Sequence, residues 1–107
     1  MERRASPRIP LDVPFLLTLI LDGGTSVPVM LTDISMHGMQ LTLPPGGAAF
    51  DCSVNTAVSL KDFPDTLAEF LDGITGCVAW LTEHQCGVRL DAPLPRPAEV
   101  IAGFAQM

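Results

Sequence analysis

Apolar residues recur along the chain in short runs, each closed by a turn signal. Residues 13–21 (VPFLLTLIL) are almost continuously apolar and stop at Asp22-Gly23-Gly24, which predicts a strand entering a hairpin. Residues 26–34 alternate in part, with Val27, Val29 and Leu31 on one face and Met30 and Thr32 on the other. Pro28 within that run points to an edge or bulge position. Residues 39–43 alternate Met39, Leu41 and Leu43 with Gln40 and Thr42, until Pro44-Pro45-Gly46-Gly47 stops them. Further strands are predicted over 54–60, over 74–82 with Gly76 as a bulge, and over 86–91. The stretch 66–72 fits two readings. One is a short strand. The other is a helix, with Leu67, Phe70, Leu71 and Ile74 at helical spacing, Asp65 as N-cap and Gly73 as stop. Pro93, Pro95 and Pro97 form a stiff linker to one short helix over 97–106, with Val100, Ile101, Phe104 and Ala105 as its apolar face.

Six short antiparallel strands and one terminal helix point to an all-β fold. A six-stranded antiparallel barrel, split or Greek-key-like, closes its own edges. The short C-terminal helix then plugs one end or mediates self-association. The expected organisation is a single domain over 1–107, with a flexible basic arm at 1–10, the barrel at 11–92 and the helix at 97–106. Its 107 residues are one domain's worth, and 48% hydrophobic against 17% charged is too apolar for a disordered chain. Ten Pro and nine Gly leave little room for long helices.

Charge narrows the partners. The net charge of −6 argues against binding DNA, RNA or an anionic membrane. Three of the six basic residues, Arg3, Arg4 and Arg8, sit in the first eight positions, so that this segment is net +2 and the remainder net −8. A basic arm on an acidic body suits one small anion and not a nucleic-acid face. Cys52, Cys77 and Cys86 are an odd count without C-x-x-C spacing. Buried free thiols in a reducing cytoplasm are therefore expected, rather than a disulfide framework or a zinc cage. A secretory signal is disfavoured by Asp12, by Pro10 and Pro14, and by the lack of a small-x-small site after Leu21. No window supplies the apolar length of a membrane span, so a cytoplasmic protein without membrane insertion is expected.

Enzyme chemistry finds no support. His37 and His84 are not at metal-ligand spacing, and no P-loop, G-x-S-x-G or G-x-G-x-x-G is present. Cys86 lies two residues from His84, which on a strand or turn is not a catalytic geometry; a turn histidine and a core thiol are expected. The expectation is a protein with no catalytic residues, metal or cofactor.

Two patterns remain. Arg4-Ala5-Ser6-Pro7-Arg8 is an R-x-x-x-R just before the first strand, and Asp33-Ile34-Ser35-Met36-His37-Gly38 is a D-x-S-x-x-G at the join of the second and third. Together they resemble the PilZ domain, a bacterial receptor module for cyclic di-GMP. Gly76-Cys77-Val78-Ala79-Trp80 is similar to that family's G-x-V-x-W strand, and Gly87-Val88-Arg89-Leu90 to its closing strand, with Leu90 where the family usually has an aromatic. The resemblance runs from about residue 3 to 106. It implies ligand contacts from Arg4, Arg8, Asp33, Ser35 and Gly38, with Arg3 as a second-tier candidate that bears on ligand stoichiometry. The residue types fit that ligand. Guanidinium pairs bidentately with phosphate and with the guanine O6 and N7 edge. Asp33 accepts from the guanine N1–H and N2–H₂ edge, and Ser35 is a short donor and acceptor beside it. Gly38 either holds a positive φ or lets a ligand approach the backbone. His37 is expected as an exposed loop residue, and Trp80 as core-facing or partly exposed at a barrel end rather than as a stacking platform.

The expected function is a cyclic di-GMP receptor in second-messenger signalling of the kind that governs motility and biofilm formation. Its arginine arm orders over the ligand and changes the surface shown to an effector protein or to a second copy of the chain. The alternative is an adaptor of the same fold that binds no nucleotide and works in pilus or motility assemblies.

Overall fold

The computed structural model of the chain describes residues 8–22, 24–46, 50 and 52–105, leaving aside the side chains at positions 12, 13, 66, 104 and 105. Six strands form it: β1 (Ile9–Leu21), β2 (Ser26–Ser35), β3 (Gly38–Thr42), β4 (Ala57–Lys61), β5 (Ile74–Leu81) and β6 (Gln85–Leu90). They close into an antiparallel barrel in the order β1-β2-β3-β6-β5-β4, with β4 pairing back onto β1. The step from β3 to β4 crosses the barrel, which gives the Greek-key-like winding.

Alternation sets the faces. Leu17, Leu19, Val29, Leu31, Leu41, Leu60, Val78 and Val88 point inward and are almost wholly buried, while no described polar or charged side chain is fully buried. Leu90 is also in the core. Strand β1 takes in Ile9 and Pro10, which lie in the segment read as the arm. Pro28 pairs with Thr18 in β1, but β2 and β3 pair only from Met30 onward, so Pro28 lies on a local edge where a missing N–H is harmless.

The ambiguous stretch is helix α1 (Asp65–Leu71). A closed barrel has no edge left for another strand, and the helix instead buries Leu67 and Leu71 completely. The N-cap is Pro64, one residue before the expected Asp65: the helix's first bonds, from the Leu67 and Ala68 N–H, run to the Pro64 carbonyl. Gly73 at φ +85° terminates the turn, since that conformation strains a side chain. Helix α2 (Ala98–Ala105) packs on β1 and α1 through Ala98, Ile101 and Ala102. Val100, expected on its apolar face, is 42% exposed: the buried positions fall on the 98, 101 and 102 stripe and leave it outside.

Gly76 is not a bulge. It pairs regularly with Leu90 and Val58, and a Cβ there would run into the Arg89 carbonyl oxygen and lie 3.0 Å from the carbonyl carbon. Glycine is required because two backbones cross closely. The bulge in β5 lies at Ala79, where the register slips between Val78 and Trp80. A second falls at Thr32 in β2, between Leu31 and Asp33. Each inserts one residue and so turns the later part of its strand over, inner face for outer.

Candidate functional site

Two rungs across the outer face of the barrel carry the polar residues. One runs Asp33–Gln40–Gly87–Trp80 across β2, β3, β6 and β5; the next runs Ser35–Gly38–Arg89–Cys77. Strict alternation from the buried Leu31 and Val78 would turn Asp33 and Trp80 into the core. The bulges at Thr32 and Ala79 turn both outward instead. The Thr32 hydroxyl donates to the Gln40 carbonyl at 3.1 Å, tying the first bulge to β3.

The rungs floor a groove of about 500 Å³, within the range of small-molecule sites. Arg8 closes one end. Its Nη2 donates to Asp33 Oδ2 at 2.8 Å and also to Gln40 Oε1. The floor between the walls is nearly bare. Gly38 leaves the backbone open beside Ser35, where a Cβ would lie 3.7 Å from the hydroxyl and 3.0 Å from the Val88 carbonyl. It is not at positive φ, so close approach is what glycine supplies here. Gly87 lies directly beneath the Trp80 indole; a Cβ there would sit 2.6 Å from Cε2, inside any normal contact.

The loop between β2 and β3 is pinned from behind. The Leu90 N–H donates to the His37 carbonyl at 2.9 Å and the Leu94 N–H to that of Met36 at 2.8 Å. Ser35 Oγ makes a long contact of 3.4 Å to the Gly38 carbonyl, leaving the hydroxyl nearly free to bond elsewhere.

Of the residues singled out from sequence, Arg8, Asp33, Ser35 and Gly38 line this one groove. Arg3 and Arg4 lie outside the described residues. His37 is exposed at the groove's rim. Trp80, 37% exposed, takes the partly exposed of its two expected placements, on the outer wall and not in the core. Gln40, Gly87 and Arg89 were not singled out. Gln40 and Arg89 were legible by parity, each an even number of residues from an outward neighbour; Trp80 was not, because the bulge reverses its parity.

The remaining chemistry is sparse. Cys86 is fully buried while His84 stands on the surface 3.5 Å from Glu83, so they make no pair. Burial, with Cys52 nearby, pushes the Cys86 thiol up to about 12. Because the nucleophile is the thiolate, Cys86 is expected to resist iodoacetamide at pH 8.5 and to label only once urea unfolds the chain, read by peptide mass spectrometry. As pH rises from about 9 toward 12, the unfolded chain ionises this thiol and the folded one does not, so the fold loses stability over that window. A second groove at Ile20, Asp22, Ala57, Ser59, Thr75 and Asp91 carries carboxylates and no cation. Among the described residues no group of three or more His, Cys, Asp or Glu is gathered as for a metal ion, and no helix is long and apolar enough to cross a membrane.

The groove thus offers guanidinium to an anion, a carboxylate to a donor edge, and an indole face beside an uncovered backbone. No curated protein matches the chain. The family model of the PilZ domain matches residues 2–104. With the barrel, the loop and the arginine at its mouth all in agreement, the chain belongs to the PilZ domain family.

Proposed function

We propose that the protein binds cyclic di-GMP in this groove and passes the signal to a separate effector. The observation that carries this reading is the meeting of Arg8 with Asp33 at 2.8 Å, which brings the end of the R-x-x-x-R and the start of the D-x-S-x-x-G to one site. A receptor or adaptor role is what the PilZ family supports; the ligand and mechanism are our reading.

The arrangement suits an exchange of partners. Arg8 now pairs with Asp33, yet each complements a different part of the ligand: the guanidinium takes a phosphate, the carboxylate the N1–H and N2–H₂ edge of a guanine. Their side chains are 38% and 23% exposed, and so exposed a pair is worth at most about 1 kcal/mol. The ligand gives up little in parting them. Ser35 adds a hydroxyl, Gly38 room at the backbone, and Trp80 a face on which a purine stacks. Arg4, placed by the motif alone, holds the ligand from its other side, with Arg3 next to it. Ordering of this arm on the ligand changes the surface shown to the effector.

Calorimetric titration with cyclic di-GMP tests the proposal. Arg4→Ala, Arg8→Ala and Asp33→Ala are each expected to weaken binding by about 1–3 kcal/mol, the worth of a bidentate contact. Absence of binding by the unmodified protein overturns the receptor reading in favour of the nucleotide-free adaptor.

A further inference from the structure

Arg89 stands in the groove with no carboxylate paired to it among the described residues. On β6 it faces outward, in register with Gly38 of β3 on one side and Cys77 of β5 on the other. Its Nη2 donates to Cys77 Sγ at 3.2 Å. A cysteine sulfur is a weak acceptor; it orients the guanidinium without supplying the bidentate oxygen pair that a carboxylate or phosphate would. The other described cations are placed differently. Arg8 is neutralised by Asp33, Arg96 lies 5.5 Å over the Phe70 ring, and Lys61 is on β4, outside this groove. Among the described lining residues, two arginines face one carboxylate, and Arg89 is the excess.

Between Arg89 and the polar loop the paired position on β3 is Gly38, which presents backbone only, while Gly87, two residues back on β6, lies under the Trp80 indole. Arg8 precedes Ile9, which pairs with Ile34, so Arg8 reaches the Ser35 end of β2. From there the rung crosses β3 to Arg89 on β6. Three strand spacings separate the two arginine backbones, about 14 Å, a span that two extended side chains close on from opposite banks. Arg8 and Arg89 therefore flank an anion from two sides, with the bare backbone of Gly38 between them.

We propose that Arg89 is a phosphate-binding residue of this site, released from the Cys77 thiol to pair with a phosphodiester of the bound dinucleotide. This rests on the receptor reading above and adds a second bank to it: on a protein of net charge −6, Arg89 supplies the positive charge that draws a dianion to this face.

The test is titration of the unmodified protein, Arg89→Gln and Arg89→Lys with cyclic di-GMP, at about 0.05 M and about 0.5 M salt, where screening differs severalfold. Arg89→Gln is expected to bind about tenfold more weakly at low salt, with the gap narrowing at high salt. Arg89→Lys keeps the charge without the fork and falls between. The free proteins should melt together, since Arg89 is exposed. If the unmodified protein binds and Arg89→Gln binds equally well, the phosphate role is wrong while the receptor reading stands. Equal weakening at both salts also overturns it, because that marks a loss of shape and not of charge. If the unmodified protein does not bind, the receptor reading falls and takes this role with it.

Discussion

Replacing Leu41 with alanine is expected to destabilise the fold by about 2–5 kcal/mol. Leu41 is fully buried on β3, paired with Leu31 on one side and Cys86 on the other. Its side chain stands at the centre of the barrel, where the walls are tied into a closed ring of backbone hydrogen bonds. They cannot collapse inward to fill the space, so the cavity term is added to the lost transfer energy. Against a typical stability of about 5–15 kcal/mol this is a large share. A urea titration should show a lower midpoint with an unchanged slope, and the melting temperature should fall by about 4–8 °C for each kcal/mol. A loss below about 1 kcal/mol would mean that the barrel interior repacks freely.

Under the proposed receptor function, Gly87→Val is expected to weaken binding of cyclic di-GMP by about a hundredfold, while leaving the barrel folded. The Trp80 indole rests on Gly87, and a Cβ there has no room. What it meets is a partly exposed side chain and not backbone, so Trp80 can swing away into solvent. Valine suits a strand, which limits the damage to β6. The site loses twice: the indole no longer offers a face for a base, worth about 1–3 kcal/mol where such stacking occurs, and two methyl groups cover the floor. Trp80 is the chain's single tryptophan, so its emission reports the displacement directly as a shift to the red. An unchanged emission spectrum and unchanged affinity for cyclic di-GMP would show that Gly87 is a matter of packing alone. Gly76→Ala makes the useful contrast, because there the added methyl meets the Arg89 carbonyl, and the backbone itself must yield.

These two sites separate what alternation carries from what it cannot. The buried stripe of β3, Met39 and Leu41, is the stripe that the run 39–43 presents to the eye. Each strand of the barrel falls on an expected apolar run, because a period of two is a local property, but the bounds move: β4 begins at Ala57 after a turn in which Asn55 takes φ +75°, not at residue 54, and β1 begins at Ile9, not at residue 13. Helix α1 was ambiguous for the opposite reason. Leu67 and Leu71 satisfy a helix, but a short apolar run also satisfies a strand, and only the closure of the sheet excludes it. Val100 was misplaced on α2 because the face that packs depends on where β1 and α1 lie.

By itself, then, the sequence determined the number of strands, the barrel class, and the chemistry of the groove's near bank: Arg8, Asp33, Ser35 and Gly38 belong to recognisable spacings, while the order of the strands in the sheet came from the tertiary structure. The tertiary structure alone decided that Asp33 and Trp80 share an outer face, that Gln40 and Arg89 stand beside them, and that Gly76 and Gly87 are bare because something crosses over each. The physical reason lies in register. A one-residue bulge at Thr32 or Ala79 leaves composition and spacing unchanged, yet reverses the face of every residue after it, and whether a bulge forms is settled by the neighbouring strand to which the ladder must fit.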